Sequence, residues 1–123
     1  MRTSLNRDAE PDDAGASLLL RLDAIPDGGL AETSATVDGN AESLIVHRQG
    51  DAVRAWFNVC PHAGRRLDWA PGQFLLSKDG HLVCAVHGAT FALPEGACIA
   101  GPCRGEQLRE VPVVVREGAL YLR

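Results

Sequence analysis

Aromatic residues are scarce in this sequence. Two Trp, three Phe and one Tyr make up 5% of 123 positions, and there is a single Met. Long apolar runs are missing too. Stretches such as Leu82–Val86 and Val113–Val115 fall far short of the roughly 20 residues that a membrane-crossing helix needs. There is no excess of positive charge: 12 Lys and Arg face 16 Asp and Glu, for a net charge of -4. The imbalance sits early, with four bases against nine acids in residues 1–50 and eight against seven afterwards. No basic patch remains to neutralise a row of phosphates, which argues against nucleic acid as a partner. Met1–Asp13 is polar and acidic without the apolar stretch of a secretory signal, so the expected compartment is the cytoplasm. At this length the chain makes one domain and leaves little room for a second core.

What the sequence does have is glycine and proline, 13 and 7 of them. This loop-rich balance favours short strands and tight turns over long helices and disfavours an all-helical bundle. Residues 1–15 show no hydrophobic period and read as a disordered acidic tail outside the fold. Ser17–Leu22 reads as a first strand, stopped by Pro26-Asp27-Gly28-Gly29. Ala31–Val37 and Glu42–Arg48 flank the turn Asp38-Gly39-Asn40, and Ala52–Asn58 alternates as a half-buried strand. After Val59 the period vanishes. Gln73–Ser77 and His81–Val86 then flank the turn Lys78-Asp79-Gly80, as a hairpin bracketed by two irregular loops. Thr90–Leu93 is a further short strand, Pro94-Glu95-Gly96 a turn, and 97–105 a loop rich in Gly, Pro and Cys. Val111–Arg116 and Ala119–Arg123 form a closing hairpin, with Val113, Val115, Leu120 and Leu122 as core candidates.

The four cysteines, in a chain expected to be cytoplasmic, point to a metal or redox role rather than to a disulfide framework. Cys60-Pro61-His62 and Cys84-Ala85-Val86-His87 give C-x-H, 21 residues, then C-x-x-H. Each loop pairs a soft thiolate with an imidazole, ligand types used by zinc and by iron–sulfur centres. In an extended segment, residues i and i+2 are about 6–7 Å apart at the Cα atoms. That spacing suits ligands reaching two metal atoms better than one ion, and a dinuclear cluster fits. Pro61 stiffens the first loop. Gly64 and Gly88 permit positive φ or close backbone approach, so that amide N–H groups can aim at cluster sulfurs. His47 and His81 read as surface histidines rather than ligands. Arg65 and Arg66 read as a solvated loop or a docking surface for an acidic partner.

These loops resemble those of the Rieske 2Fe-2S family, C-x-H-x-G-x-x-L and C-x-x-H-G. The matching residues are Cys60, His62, Gly64 and Leu67 in the first and Cys84, His87 and Gly88 in the second. The segment Leu22–Gly29 and the final hairpin are similar to bacterial Rieske-type ferredoxins, so the resemblance spans residues 17–123. It implies an all-β fold, a Rieske-like antiparallel β-sandwich base with a cluster-binding subdomain of about residues 59–93 inserted, within a single Rieske domain of residues 16–123. It implies that Cys60 and Cys84 bind one iron of a 2Fe-2S cluster and His62 and His87 the other, with Leu67 capping the cluster against water. The function implied is a ferredoxin that is not itself an enzyme and carries single electrons from a reductase to an oxygenase or other acceptor. Free imidazole nitrogens on His62 and His87 would make its potential fall as pH rises.

Two departures from the respiratory branch of that family bear on the chemistry. Ala89 and Phe91 stand where that branch has Ser and Tyr, and losing two hydroxyl donors implies a low potential within the Rieske range of about −150 to +300 mV. Arg65 and Val86 stand where it has two further cysteines that join as a disulfide, so that bridge cannot form. Cys98 and Cys103 lie in a segment whose Gly101-Pro102 resembles the family's third loop. A local bridge between them requires Cα atoms within about 7 Å, and the expected compartment favours reduced thiols. Two other readings stay open: the Rieske-like small subunit of a larger redox enzyme of the nitrite reductase type, and a structural zinc module.

Overall fold

The computed structural model describes residues 18–61, 64–84 and 88–123. The acidic segment 1–15, expected to be disordered, lies outside them. Eleven strands and one short 3₁₀ turn, Leu22–Ala24, make up the described architecture. Along the chain the strands are β1 (Leu18–Arg21), β2 (Leu30–Val37), β3 (Asn40–Gln49), β4 (Ala52–Phe57), β5 (Leu75–Leu76) and β6 (Leu82–Val83). They continue with β7 (Thr90–Ala92), β8 (Ala97–Ala100), β9 (Glu110–Val111), β10 (Val113–Arg116) and β11 (Ala119–Leu122).

All pairings are antiparallel and form three sheets, ordered β1-β11-β10, β2-β3-β4-β9 and β5-β6-β7-β8. Local chemistry sets the hairpins. Val37 pairs with Asn40 across Asp38-Gly39, and Arg116 with Ala119 across Glu117-Gly118. Both two-residue turns take positive φ at each position, which matches the twist of the strands they join.

The sheet β2-β3-β4-β9 is covered on both faces. Ile45 and Trp56, cross-strand partners, pack with Leu67, Leu82 and Phe91 on one side. Leu44, Val46, Ala55 and Phe57 pack with Ile25, Val111 and Leu120 on the other, with Val113, Val115 and Leu122 partly buried against them. Fully burying one large apolar side chain stabilises by about 1.5–3 kcal/mol, so the two faces both anchor this sheet. β4 and β9 are neighbours in it, Ala55 facing Val111. Everything between them in sequence, including β5 to β8, is therefore an insertion hung from two adjacent strands of the base.

Several expectations need correction. Segment 97–105 is not all loop: Ala97–Ala100 is strand, because Cys98 and Ala97 pair with Phe91 and Ala92 of β7. Tertiary pairing overrides the composition there. The closing hairpin breaks at Pro112, between β9 and β10, since proline has no N–H for the ladder. The Lys78–Gly80 hairpin shrinks to two-residue ladders, Leu75 with Val83 and Leu76 with Leu82. His47 is not a surface residue. It is 5% exposed and its ring lies 6.5 Å from that of Trp56. The run Leu44–His47 is buried throughout, as a strand sandwiched on both faces must be.

Candidate metal centre

Cys60 and Cys84 open two turns with the same backbone wiring. In the first, the Cys60 N–H donates to the Arg65 carbonyl at 2.7 Å and the Gly64 N–H to the Cys60 carbonyl at 2.8 Å. In the second, the Cys84 N–H donates to Ala89 at 2.7 Å and the Gly88 N–H to Cys84 at 2.9 Å. The offsets along the chain are identical. Gly64 and Gly88 hold φ of 69° and 74°, a conformation that costs glycine nothing and L-residues about 1 kcal/mol or more. The two glycine amides satisfy the cysteine carbonyls, and the positive φ expected of both glycines supplies the left-handed corner of each turn.

Both cysteines are buried and belong to one packed group with Ile45, Trp56, Leu67, Leu82 and Phe91. This brings two thiols from distant loops onto one side of the base sheet. His62 and His87 lie outside the described residues, as does Val86. In sequence each histidine falls inside its turn, between cysteine and glycine. Leu67, expected as a cap, is 1% exposed in that same group. His81 is half-buried near the β5–β6 turn and touches neither cysteine turn in any hydrogen bond or ion pair described. The donor chemistry fits an iron–sulfur centre: one soft, water-shielded thiol per turn, with an imidazole in each turn's sequence.

The first turn is tied to the base by a polar chain that sequence reading missed. Asn58, 1% exposed, accepts from the Leu67 N–H at 2.8 Å and donates through Nδ2 to Ser43 Oγ at 3.1 Å. Ser43 Oγ in turn donates to Glu32 at 2.8 Å. Asp68, whose side chain is 1% exposed, takes a two-pronged contact from Arg66 at 2.9 and 2.7 Å and accepts from the Gly72 N–H at 3.1 Å. The Arg66 hydrogen bonds outweigh the effect of burial and hold the Asp68 carboxyl down at about 2. Arg66 also lies 3.6 Å from Glu32, so it is committed within the molecule, whereas Arg65 stays exposed. The signal available in the sequence was an Asn and an Asp close to the ligand motif, residue types rarely buried without a partner.

The third loop closes against the second turn. A Cβ on Gly101 would stand 2.7 Å from Ala89 Cα and 3.0 Å from the Gly88 carbonyl oxygen. Cys98 and Cys103 are buried in the same packed group as Cys60 and Cys84.

A family model described as "Rieske [2Fe-2S] domain" matches residues 21–115. No curated protein sequence matches the chain. Among solved structures, the ferredoxin of carbazole 1,9a-dioxygenase from Nocardioides aromaticivorans IC177 is similar at 29% identity with a TM-score of 0.65, over 87% of this chain and 95% of that one. A chain in the complex of reduced oxygenase and oxidized ferredoxin in carbazole 1,9a-dioxygenase is 24% identical with a TM-score of 0.66, over 87% and 91%. The terminal oxygenase of carbazole 1,9a-dioxygenase from Novosphingobium sp. KA1 shares the fold at 18% identity and a TM-score of 0.68, where the match covers 29% of that longer chain.

Proposed function

The chain belongs to the Rieske [2Fe-2S] domain family, and from that premise we propose that it is a ferredoxin, a single-electron carrier that passes electrons from a reductase to an oxygenase or another acceptor. Cys60 and Cys84 would hold one iron and His62 and His87 the other, within a cluster-binding unit of about residues 59–93. When bound, the 2Fe-2S cluster supplies reversible one-electron redox chemistry. The chain's own residues do the rest. The two matched turns fix where the thiols point, and Leu67, Phe91 and Trp56 keep water away from them. Ala89 and Phe91, both 0% exposed, place no side-chain hydroxyl beside the second turn, which favours a low potential.

The observation that carries this reading is the repeated hydrogen-bond pattern at Cys60 and Cys84, joined to the near full-length similarity with one ferredoxin at 29% identity. Partner contact is supported by Val59, 41% exposed immediately before Cys60. Val59 and Pro61 border a depression of about 280 Å³ that Glu42 and Arg109 also line, so a redox protein can approach within a residue of the centre. We place the carrier in the cytoplasm, where reducing conditions keep the ligand thiols available for metal.

The test is substitution with visible spectroscopy and iron analysis. Cys60→Ser and Cys84→Ser are each expected to abolish the visible absorption and the bound iron, while the wild type takes up electrons and is reoxidised by an acceptor protein. A variant that kept the full spectrum would remove its residue from the ligand set. A colourless, zinc-loaded wild type would overturn the function itself.

A further inference from the structure

Cys98 and Cys103 are the two cysteines that the proposed centre does not use. The main chain folds them into a closed turn. The Cys98 N–H donates to Glu106 at 2.8 Å, the Gly105 N–H to Cys98 at 3.2 Å and the Glu106 N–H to Cys103 at 2.9 Å. The two sulfurs lie 2.7 Å apart, with the Cys103 thiol donating to Cys98 Sγ, and the Cys98 thiol donating to the Ala100 carbonyl at 3.2 Å. A disulfide needs about 2.05 Å between the sulfurs, so less than about 1 Å of movement would join them. Both thiols are buried, yet residues 99–102 and 104–105 between and beside them are exposed. The pair therefore lies beneath a single surface turn, and opening that turn would expose it.

We propose that Cys98 and Cys103 form an intramolecular dithiol–disulfide site, oxidised by low-molecular-weight disulfides of the glutathione type, whose closure clamps the third loop against the second cysteine turn. The chemistry is thiol–disulfide exchange. Cys98 gives its proton to water and its sulfur attacks one sulfur of the small disulfide. The small S–S bond breaks, and the departing half takes up a proton as a free thiol. Cys103 then loses its proton and attacks Cys98 Sγ, forming the internal bond and expelling the second half as another thiol. Two protein thiols are oxidised, one small disulfide is reduced to two thiols, and protons balance. Burial and the neighbouring Cys98 push the Cys103 thiol up to about 12. The Cys103 S–H is aimed at Cys98 Sγ, so Cys103 is the resolving partner once Cys98 carries the small thiol.

The clamp follows from packing. Gly101, between the two cysteines, lies so near the second turn that a Cβ on it would stand 2.7 Å from Ala89 Cα and 3.0 Å from the Gly88 carbonyl oxygen. A bridge across positions 98 and 103 restricts that loop and lowers the entropy of its open forms. None of these steps involves the metal centre, so the inference stands whether or not the proposed function holds.

The test uses the full-length holoprotein under argon, equilibrated with oxidised and reduced glutathione at stepped ratios, quenched in acid, unfolded, alkylated and weighed by mass spectrometry. The expected result is a transition from alkylated to linked Cys98 and Cys103 as the ratio rises, with Cys60 and Cys84 alkylated throughout. Cys103→Ser is expected to trap a glutathione adduct on Cys98, and Cys98→Ser to leave Cys103 unmodified. Hydrogen exchange at the Gly88, Ala89 and Thr90 amides is expected to slow severalfold in the oxidised wild type. Alkylation of both thiols at every ratio, or a bridge from either to Cys60 or Cys84, would overturn the site. Equal exchange in the two redox states would overturn the clamp.

Discussion

Gly101 touches Ala89 so closely that no side chain fits between them: a Cβ on Gly101 would sit 2.7 Å from Ala89 Cα. Gly101 also holds φ of 93°. Gly101→Ala must push the third loop away from backbone that cannot yield and must also strain its own conformation. The expected cost is about 2–4 kcal/mol, read as a shift in the denaturation midpoint together with faster loss of visible absorption. A variant as stable as the wild type would show that this contact does not hold the second turn.

Asn58 links the base sheet to the first turn through Leu67 and Ser43. Asn58→Ala leaves the buried Leu67 N–H without its acceptor, at a cost of about 1–3 kcal/mol. Because that N–H belongs to the residue that follows the Cys60–Arg66 segment, exchange should accelerate at Gly64, Arg65 and Leu67 more than in β10 or β11. Uniform acceleration would mark a general loss of stability instead.

Acid should destabilise the protein in two stages. Burial lowers the pKa of His47 below 6.5, so below that pH the unfolded chain binds a proton that the folded one resists, and stability falls. Asp68, held at about 2 against 3.8 when unperturbed, stabilises fully above about pH 4. Its contribution then drains away as pH drops toward 2. Denaturation across pH is expected to show the first stage vanish in His47→Gln and the second in Asp68→Asn. Unchanged profiles in both variants would contradict these assignments.

Ala89 and Phe91 are both fully buried at the second turn, and a hydroxyl at either position adds a donor in a dry setting. Redox titration is expected to place the wild type in the lower half of the span of about −150 to +300 mV, with Ala89→Ser and Phe91→Tyr each raising the midpoint. Midpoints that did not move would rule out missing hydroxyls as the cause of a low potential.

The sequence by itself determined the chemistry and the outline. The two loop motifs that contain Cys60 and Cys84 are local and carry the resemblance to the Rieske family, and the family match over residues 21–115 bears out the cofactor that it implies. The hairpins at Asp38-Gly39 and Glu117-Gly118 follow from turn residues that allow few conformations. Tertiary structure alone decided what depends on residues far apart in the chain. β8 exists because β7 offers it a ladder, and His47 is buried because its sheet is covered twice. Asn58 matters because Ser43 lies 15 residues earlier yet within reach, and Cys98 meets Cys103 because Glu106 and Gly105 close the turn that holds them. Local patterns record backbone preference and ligand type, whereas burial and pairing depend on which distant surfaces meet, and that no single stretch of sequence specifies.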